Sequence, residues 1–206
     1  MNHNLQEIFY RQRGKSGPGS TIEYTKNLRF HLPIIIDKFN VKTLLDAPCG
    51  DLVWMSTILK NNNLIEYIGG DIVKKIVDKH SHNYKNYSNI RFIHIDITED
   101  ELPSADLWII RDVLFHLSPD NIQKVFQNLK QSNIKYVLTT THHEDSIDYN
   151  GNKWVFNKPI INGEFELLNL FADPYNLPQP IYRFDDTYGP HPKREMCLWE
   201  VEQLKI

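Results

Sequence analysis

The sequence predicts an α/β fold: a doubly wound sheet of about seven strands, mostly parallel, with an antiparallel hairpin strand at its C-terminal end. Three observations carry that expectation. From residue 41 onward, short apolar runs bounded by turn residues alternate with segments of helical periodicity, and such alternation builds parallel βαβ units. Leu107-Trp108-Ile109-Ile110 and Tyr136-Val137-Leu138 are apolar without interruption, as in strands covered on both faces. After residue 180 two strand-like segments follow each other with no helix between them, and only an antiparallel pair can be joined so briefly.

The elements follow in order. The first twenty residues end in GKSGPGS, a turn-rich stretch. STIEYTKNLRFHLPIIIDKFN, residues 20–40, has apolar positions at helical spacing, with Ser20 or Thr21 as its cap. Pro33 inside it is expected to split or kink that helix. KTLLDA (42–47) reads as the first strand and LVWMSTILKNN (52–62) as a helix starting near Asp51. IEYIGGD (65–71) is a strand, IVKKIVDKHSHNY (72–84) a helix and IRFIHIDI (90–97) a strand. ADLWIIRDVLFHL (105–117) begins as the fourth strand. PDNIQKVFQNLKQ (119–131) is a helix with proline in its first turn, and IKYVLTTTH (134–142) is the fifth strand. EDSIDYNGNKW reads as loop, NGEFELLNLF as a short helix, and DPYNLPQP as extended or turning chain. IYRFDD and EMCLWEVEQL form the closing hairpin.

Composition bounds the rest. With 206 residues, 41% of them apolar and 24% charged, the chain can bury one good-sized core, which excludes disorder as its character. The formal charge is −3 with no lysine-arginine stripe, so no nucleic-acid partner is expected. No run approaches the roughly 18 apolar residues of a membrane span, and the polar N-terminus lacks the apolar core of a signal peptide. Cys49 and Cys197 are expected to be reduced, in a soluble cytoplasmic protein acting on a small molecule. The oligomeric state is left open.

In an open parallel sheet, ligands sit beyond the carboxyl ends of the strands. Those ends fall at Asp46, Asp71, Asp96, Arg111-Asp112 and Thr141-His142. One Asp after a strand is commonly a helix cap; three on consecutive strands ask for a shared partner.

Asp46-x-x-x-Gly50, Asp71 about twenty residues on, and Asp96 in HIDIT together resemble the Rossmann-like class I S-adenosylmethionine-dependent methyltransferases. DAPCGDLVWM resembles a variant first motif from a bacterial branch with small-molecule and sugar-modifying members. GSTIEYT, YIGGDIV, RDVLFHLS, LTTTH and LWEV resemble the same group, over residues 14–201. The resemblance implies one domain: residues 1–40 a turn-rich segment and helix, 41–145 a cofactor-binding core, and 146–206 a substrate-side connector and hairpin. It implies S-adenosylmethionine as methyl donor and S-adenosylhomocysteine as product. The Asp46–Gly50 turn would follow the methionine portion, Asp71 the ribose hydroxyls, and Asp96 the adenine amino group with Ile97 beside it. Trp54, Ile72 and Arg111 complete the implied cofactor contacts.

On the acceptor side, a methyl transfer to oxygen gains from a general base, and histidine suits neutral pH. His116 is the first candidate and His142 the second, with Asp112, His143 and Tyr188 as candidate substrate contacts. The acceptor would be an oxygen of a sugar or nucleotide-linked sugar. No metal site is expected, because neighbouring strand residues such as His142 and His143 point to opposite faces. Cys49 reads as a small residue filling a tight turn, and ADPYNLP as a lid or connector. Lys193 and Arg194 read as solvated loop charges, with contact to an anionic substrate group as the other option. Two rival functions remain: an inactive cofactor-binding partner subunit, and an NAD-dependent oxidoreductase, which would need G-x-G-x-x-G after the first strand.

Overall fold

The computed structural model describes residues 16–60, 65–143, 151–187, 189 and 192–205. Seven strands among them form one sheet: β1 Thr43–Asp46, β2 Glu66–Asp71, β3 Ile90–His94, β4 Leu107–Ile110, β5 Tyr136–His142, β6 Tyr182–Asp185 and β7 Arg194–Glu200. Their spatial order is β3-β2-β1-β4-β5-β7-β6. The first five are parallel, whereas β7 runs antiparallel to both β5 and β6. The chain winds outward from β1 through β2 to β3, then returns to β4 on β1's other side. That reversal opens a crevice at the carboxyl ends of β1 and β4.

Helices cover both faces. Leu45, Trp108, Ile110 and Val137 face Ile122, Val125, Phe126 and Leu129 of α4, Pro119–Gln131. The alternate strand residues Leu44, Leu107, Ile109 and Leu138 share the opposite core with Leu28, Leu32 and Ile35 of α1, Lys26–Lys38, and with α2, Met55–Leu59. The period-two alternation of strand side chains sorts neighbours such as Leu44 and Leu45 between the two cores. The helix α3, Lys74–Asn83, packs on β2 and β3. No helix among the described residues is long and apolar enough to cross a membrane.

Several expectations are corrected. Helix α1 starts at Lys26, not after Ser20 or Thr21. Upstream, the Thr21 hydroxyl accepts from the Tyr24 amide at 3.2 Å and Thr25 Oγ1 donates to the Thr21 carbonyl at 2.8 Å, so hydroxyl-backbone bonds hold turns there instead. Pro33 sits within α1 without ending it. Pro33 is exposed, so the carbonyl that its missing amide leaves behind can be hydrated. Helix α2 begins at Met55 rather than near Asp51. NGEFELLNLF forms no helix, because tertiary partners take its amides: Glu166 donates to the Phe115 carbonyl, Leu168 to His142 Nδ1 and Leu170 to Thr141 Oγ1. ADPYNLP is a connector, not a lid: Leu177 joins the core and Tyr175 packs on Phe126.

Candidate functional site

A cavity of about 510 Å³ opens beyond the carboxyl ends of β1, β2 and β4. Its floor is the turn after β1. Gly50 there has φ +56°, and a Cβ on it would lie 2.4 Å from Ser16 Oγ. The glycine thus combines a left-handed backbone with a close approach that a larger residue would block. The Gly50 amide donates to Asp71 Oδ2 at 3.0 Å, and the Cys49 amide to the Gly70 carbonyl at 2.8 Å. His80 Nε2 lies 2.9 Å from the Gly50 carbonyl. A carbonyl only accepts, so Nε2 carries a proton, and burial lowers the His80 pKa against the opposing effect of that bond. Asp71 Oδ1 accepts from the Val73 amide at 2.9 Å. The turn and the β2 carboxylate are therefore one bonded unit.

Asp46 is fully enclosed beside it and accepts from the Tyr67 hydroxyl at 2.7 Å. Burial, opposed by that bond and reinforced by Asp71, pushes its carboxyl up to about 7. The sign follows: the unfolded chain releases this proton near its ordinary value of 3.8 and the folded one near 7. Stability from Asp46 is therefore full below the lower value and lost as pH rises through the upper one. Asp46→Asn, whose amide oxygen still accepts from Tyr67, should gain in melting temperature relative to the unmodified protein as pH goes from about 5 to 8. Parallel melting curves at all pH values would show Asp46 ionised throughout. Burial also drives the Cys49 thiol well above its usual range, with Asp46 and Asp71 adding to the effect. Cys49 should resist a disulfide reagent at pH 8 until the protein unfolds; fast labelling of the native state would contradict this placement.

Arg111 and Asp112 follow β4 directly, and the structure binds both to residues far along the chain. Arg111 Nη2 meets Asp186 Oδ2 at 3.0 Å, and its Nη1 lies 3.1 Å from Asp112 Oδ2. Arg194, the first residue of β7, donates from Nη2 to Asp186 Oδ2 at 2.8 Å and from Nη1 to Asp112 Oδ1 at 2.9 Å. Its guanidinium also lies over the Tyr24 ring, 4.6 Å from the centroid. Burial would raise Asp112, but Arg111 and Arg194 bring it below the ordinary carboxylate value. Burial raises Asp186, against the same two arginines. Arg111 thus serves a charge cluster as well as the cavity wall, and Arg194 is no solvated loop charge.

The far wall comes from Phe115, His116, Gly163 and Phe165. His116 Nδ1 lies 2.8 Å from the Glu164 carbonyl, which fixes Nδ1 as the donor. The Gly163 amide donates back to the His116 carbonyl at 2.8 Å, and the Ser118 amide to Asn162 Oδ1 at 2.7 Å. Residues 162–166 are in this way seated on residues 115–118.

Of the residues singled out by sequence, Asp46, Cys49, Gly50, Trp54, Asp71, Ile72, Arg111, Asp112, His116 and Arg194 line the cavity. His142 does not: its Nδ1 accepts the Leu168 amide at 3.1 Å, and its ring lies behind Phe115 and Phe165. Burial pushes its pKa down to about 4, with Arg194 adding to the shift. His142 is a neutral acceptor within the fold, not a base at the cavity. His143 follows β5 and donates its amide to the Lys193 carbonyl, away from the lining. Asp96 stands two residues beyond β3, where Oδ1 accepts from the Thr98 amide and hydroxyl at 2.9 and 2.7 Å. Ile97 is buried in the core and its carbonyl accepts from Asn128. Neither Asp96 nor Ile97 reaches the cavity lining. Tyr188 lies outside the described residues, and no group of three or more His, Cys, Asp or Glu among those described could hold a metal ion.

Sequence reasoning missed Ser16 and Gly19, which wall the cavity from the N-terminal side, and Asp186, which holds the two arginines. Only the glycine content of GKSGPGS hinted at a close approach there.

No protein-family model matches the sequence, and no curated protein does. Solved structures do match. N-methyltransferase NodS from Bradyrhizobium japonicum WM9, in complex with S-adenosyl-L-homocysteine, superposes with a TM-score of 0.67 at 10% identity, covering 96% of this chain and 98% of that one. The methyltransferase domain of bacterial CtHen1 gives 0.63 at 12% identity, covering 86% and 98%. The mitomycin 7-O-methyltransferase MmcR gives 0.61 at 12% identity, covering 97% of this chain and 58% of that one. The seven-stranded α/β fold of this chain is the fold of these methyltransferases.

Proposed function

We propose that the protein transfers a methyl group from S-adenosylmethionine to a small-molecule acceptor, at an oxygen of a sugar or nucleotide-linked sugar, as a cytoplasmic enzyme. The observation that carries this reading is the meeting of Asp46, Asp71, the Gly50 turn and His116 in one cavity at the carboxyl edge of the sheet. The residues present fit the cofactor. The cavity is within the roughly 300–1,000 Å³ range of ligand pockets. Asp71 holds two backbone amides yet keeps a second lone pair on each oxygen, enough for a ribose diol. Ile72, Val73 and Ile76 offer an apolar wall for a purine.

Bound there, the cofactor would supply a methyl group on a sulfonium already activated toward attack. His116 supplies the proton chemistry: with Nδ1–H committed to the Glu164 carbonyl, the neutral ring has its lone pair on Nε2, the form that accepts a hydroxyl proton. Phe115 and Phe165 line that end of the cavity beside His116.

Calorimetry with S-adenosylmethionine, S-adenosylhomocysteine and NAD tests the reading. Binding of the first two supports it, and binding of NAD with silence toward both would end it. Asp71→Ala should weaken S-adenosylhomocysteine binding by about 1–3 kcal/mol, roughly 5- to 150-fold, because ribose hydroxyls lose their acceptor. Unchanged affinity would take Asp71 out of the site.

A further inference from the structure

We propose that Arg111, seated by Asp186 and Arg194, is a positioning residue that fixes the strap Ser16–Ser20 across the cavity and ties its cofactor half to its acceptor half. What the two halves hold rests on the function proposed above; the seating of the strap does not. The strap is fastened at two places. At the cofactor turn, the Ser16 amide donates to Asp51 Oδ2 at 3.1 Å and the Asp51 amide to Ser16 Oγ at 2.9 Å. At the other end, Arg111 Nη1 donates to the Gly19 carbonyl at 2.8 Å.

Each nitrogen of Arg111 is engaged: Nε and Nη2 with Asp186 Oδ2, at 3.3 and 3.0 Å, and Nη1 with Gly19 and Asp112. A guanidinium fork held in this way has a fixed direction, and that direction sets where the Gly19 carbonyl can lie. Asp112 fills the remaining space. A Cβ on Gly19 would come 2.3 Å from its Oδ2. The carboxylate cannot swing aside cheaply, since Arg111 and Arg194 hold its two oxygens and its own backbone sits at φ +58°. Gly19 is thus the residue that lets the strap rest on the charge cluster. The strap bears on Gly50 at one end and on Asp112 at the other, so whatever displaces one end is felt at both.

Amide hydrogen exchange in the ligand-free protein reads the strap directly, at Ser16, Ser20 and Asp51. Gly19→Ala should speed exchange at these amides by about tenfold or more while global melting moves little. In an Asp112→Ala background, where the colliding oxygen is gone, adding Gly19→Ala should change their exchange by less than about twofold. Gly19→Ala should also weaken S-adenosylhomocysteine binding by about tenfold, an effect that general destabilisation would not produce at an unchanged melting temperature. Arg111→Lys, which keeps the charge but loses the fork, should reproduce the faster exchange. Exchange at the normal rate in Gly19→Ala, or equal acceleration in both backgrounds, overturns the proposal. So does faster exchange with full S-adenosylhomocysteine affinity, since the strap would then not reach the cofactor half. If the unmodified protein binds no S-adenosylhomocysteine, the proposed function fails, and the exchange measurements still decide whether Arg111 seats the strap.

Discussion

His116→Asn is expected to slow methyl transfer by about 100-fold or more while leaving S-adenosylhomocysteine affinity within about twofold. The substitution separates two jobs of one ring. His116 Nδ1 donates to the Glu164 carbonyl at 2.8 Å and so helps to seat the segment that carries Gly163 and Phe165. An asparagine amide can make the same donation from nearly the same place, but it has no basic nitrogen beyond it. His116→Ala loses both and should also loosen residues 162–166. The measurement is turnover of radiolabelled methyl donor on an acceptor that the unmodified protein methylates, with calorimetry of S-adenosylhomocysteine alongside. An asparagine variant of full activity would leave His116 a seat for the connector and nothing more. A fall in cofactor affinity equal to the fall in rate would place its effect on binding instead.

Arg194→Ala should cost about 3–5 kcal/mol of stability, the range for removing one partner from a buried ion cluster. For a chain of this length that lowers the melting temperature by roughly 10 °C. The cost comes from what stays behind. The Asp186 side chain is fully buried, and its Oδ1 has no hydrogen-bond partner among the described residues; without Arg194, Arg111 is the one described partner left to its other oxygen. Asp112, in a left-handed backbone conformation, loses the stronger of two donors to its Oδ1, keeping only the Thr140 hydroxyl at 3.4 Å, and Tyr24 loses the nearer of two cations over its ring, keeping Arg111 at 5.7 Å. Arg194→Lys should recover little, because a point charge cannot bridge two carboxylates as a fork does. Thermal unfolding followed by circular dichroism measures the cost. The exposed pair Lys74–Asp78 provides the contrast: breaking it should change nothing measurable. An Arg194→Ala protein melting with the unmodified one would mean that the cluster is hydrated and weak.

The two Arg194 partners show why part of this site is legible in sequence and part is not. Asp46 and Asp71 each end a short apolar run at the point where a turn begins, so their place at the carboxyl edge follows from local pattern alone. Asp96 obeys the same pattern, but β3 stops at His94, where its pairing with β2 ends, and the extra residues turn its carboxylate into a cap for Thr98. His142 also ends a strand, yet the segment that claims its Nδ1 lies 26 residues on, in a stretch that local periodicity reads as helix. The Arg111–Asp186 contact spans 75 residues, and nothing near either residue announces the other. GKSGPGS signals a turn by composition, but composition cannot say what the turn rests on. Patterns with a period reveal strands and their ends. Contacts made when distant strands meet do not repeat, and they leave no pattern.

The place of β7 between β5 and β6 has a consequence for the order in which the molecule can assemble. Everything needed for the Gly50 turn, from Ser16 to His80, has left the ribosome long before Arg194 is made. Until that residue arrives, Asp112 and Asp186 share a single counter-charge and the sheet ends at β5 with an unpaired edge. A growing chain can therefore build the β1–β2 side of the cavity early, but the β4 side closes only when the last strand slots into its gap.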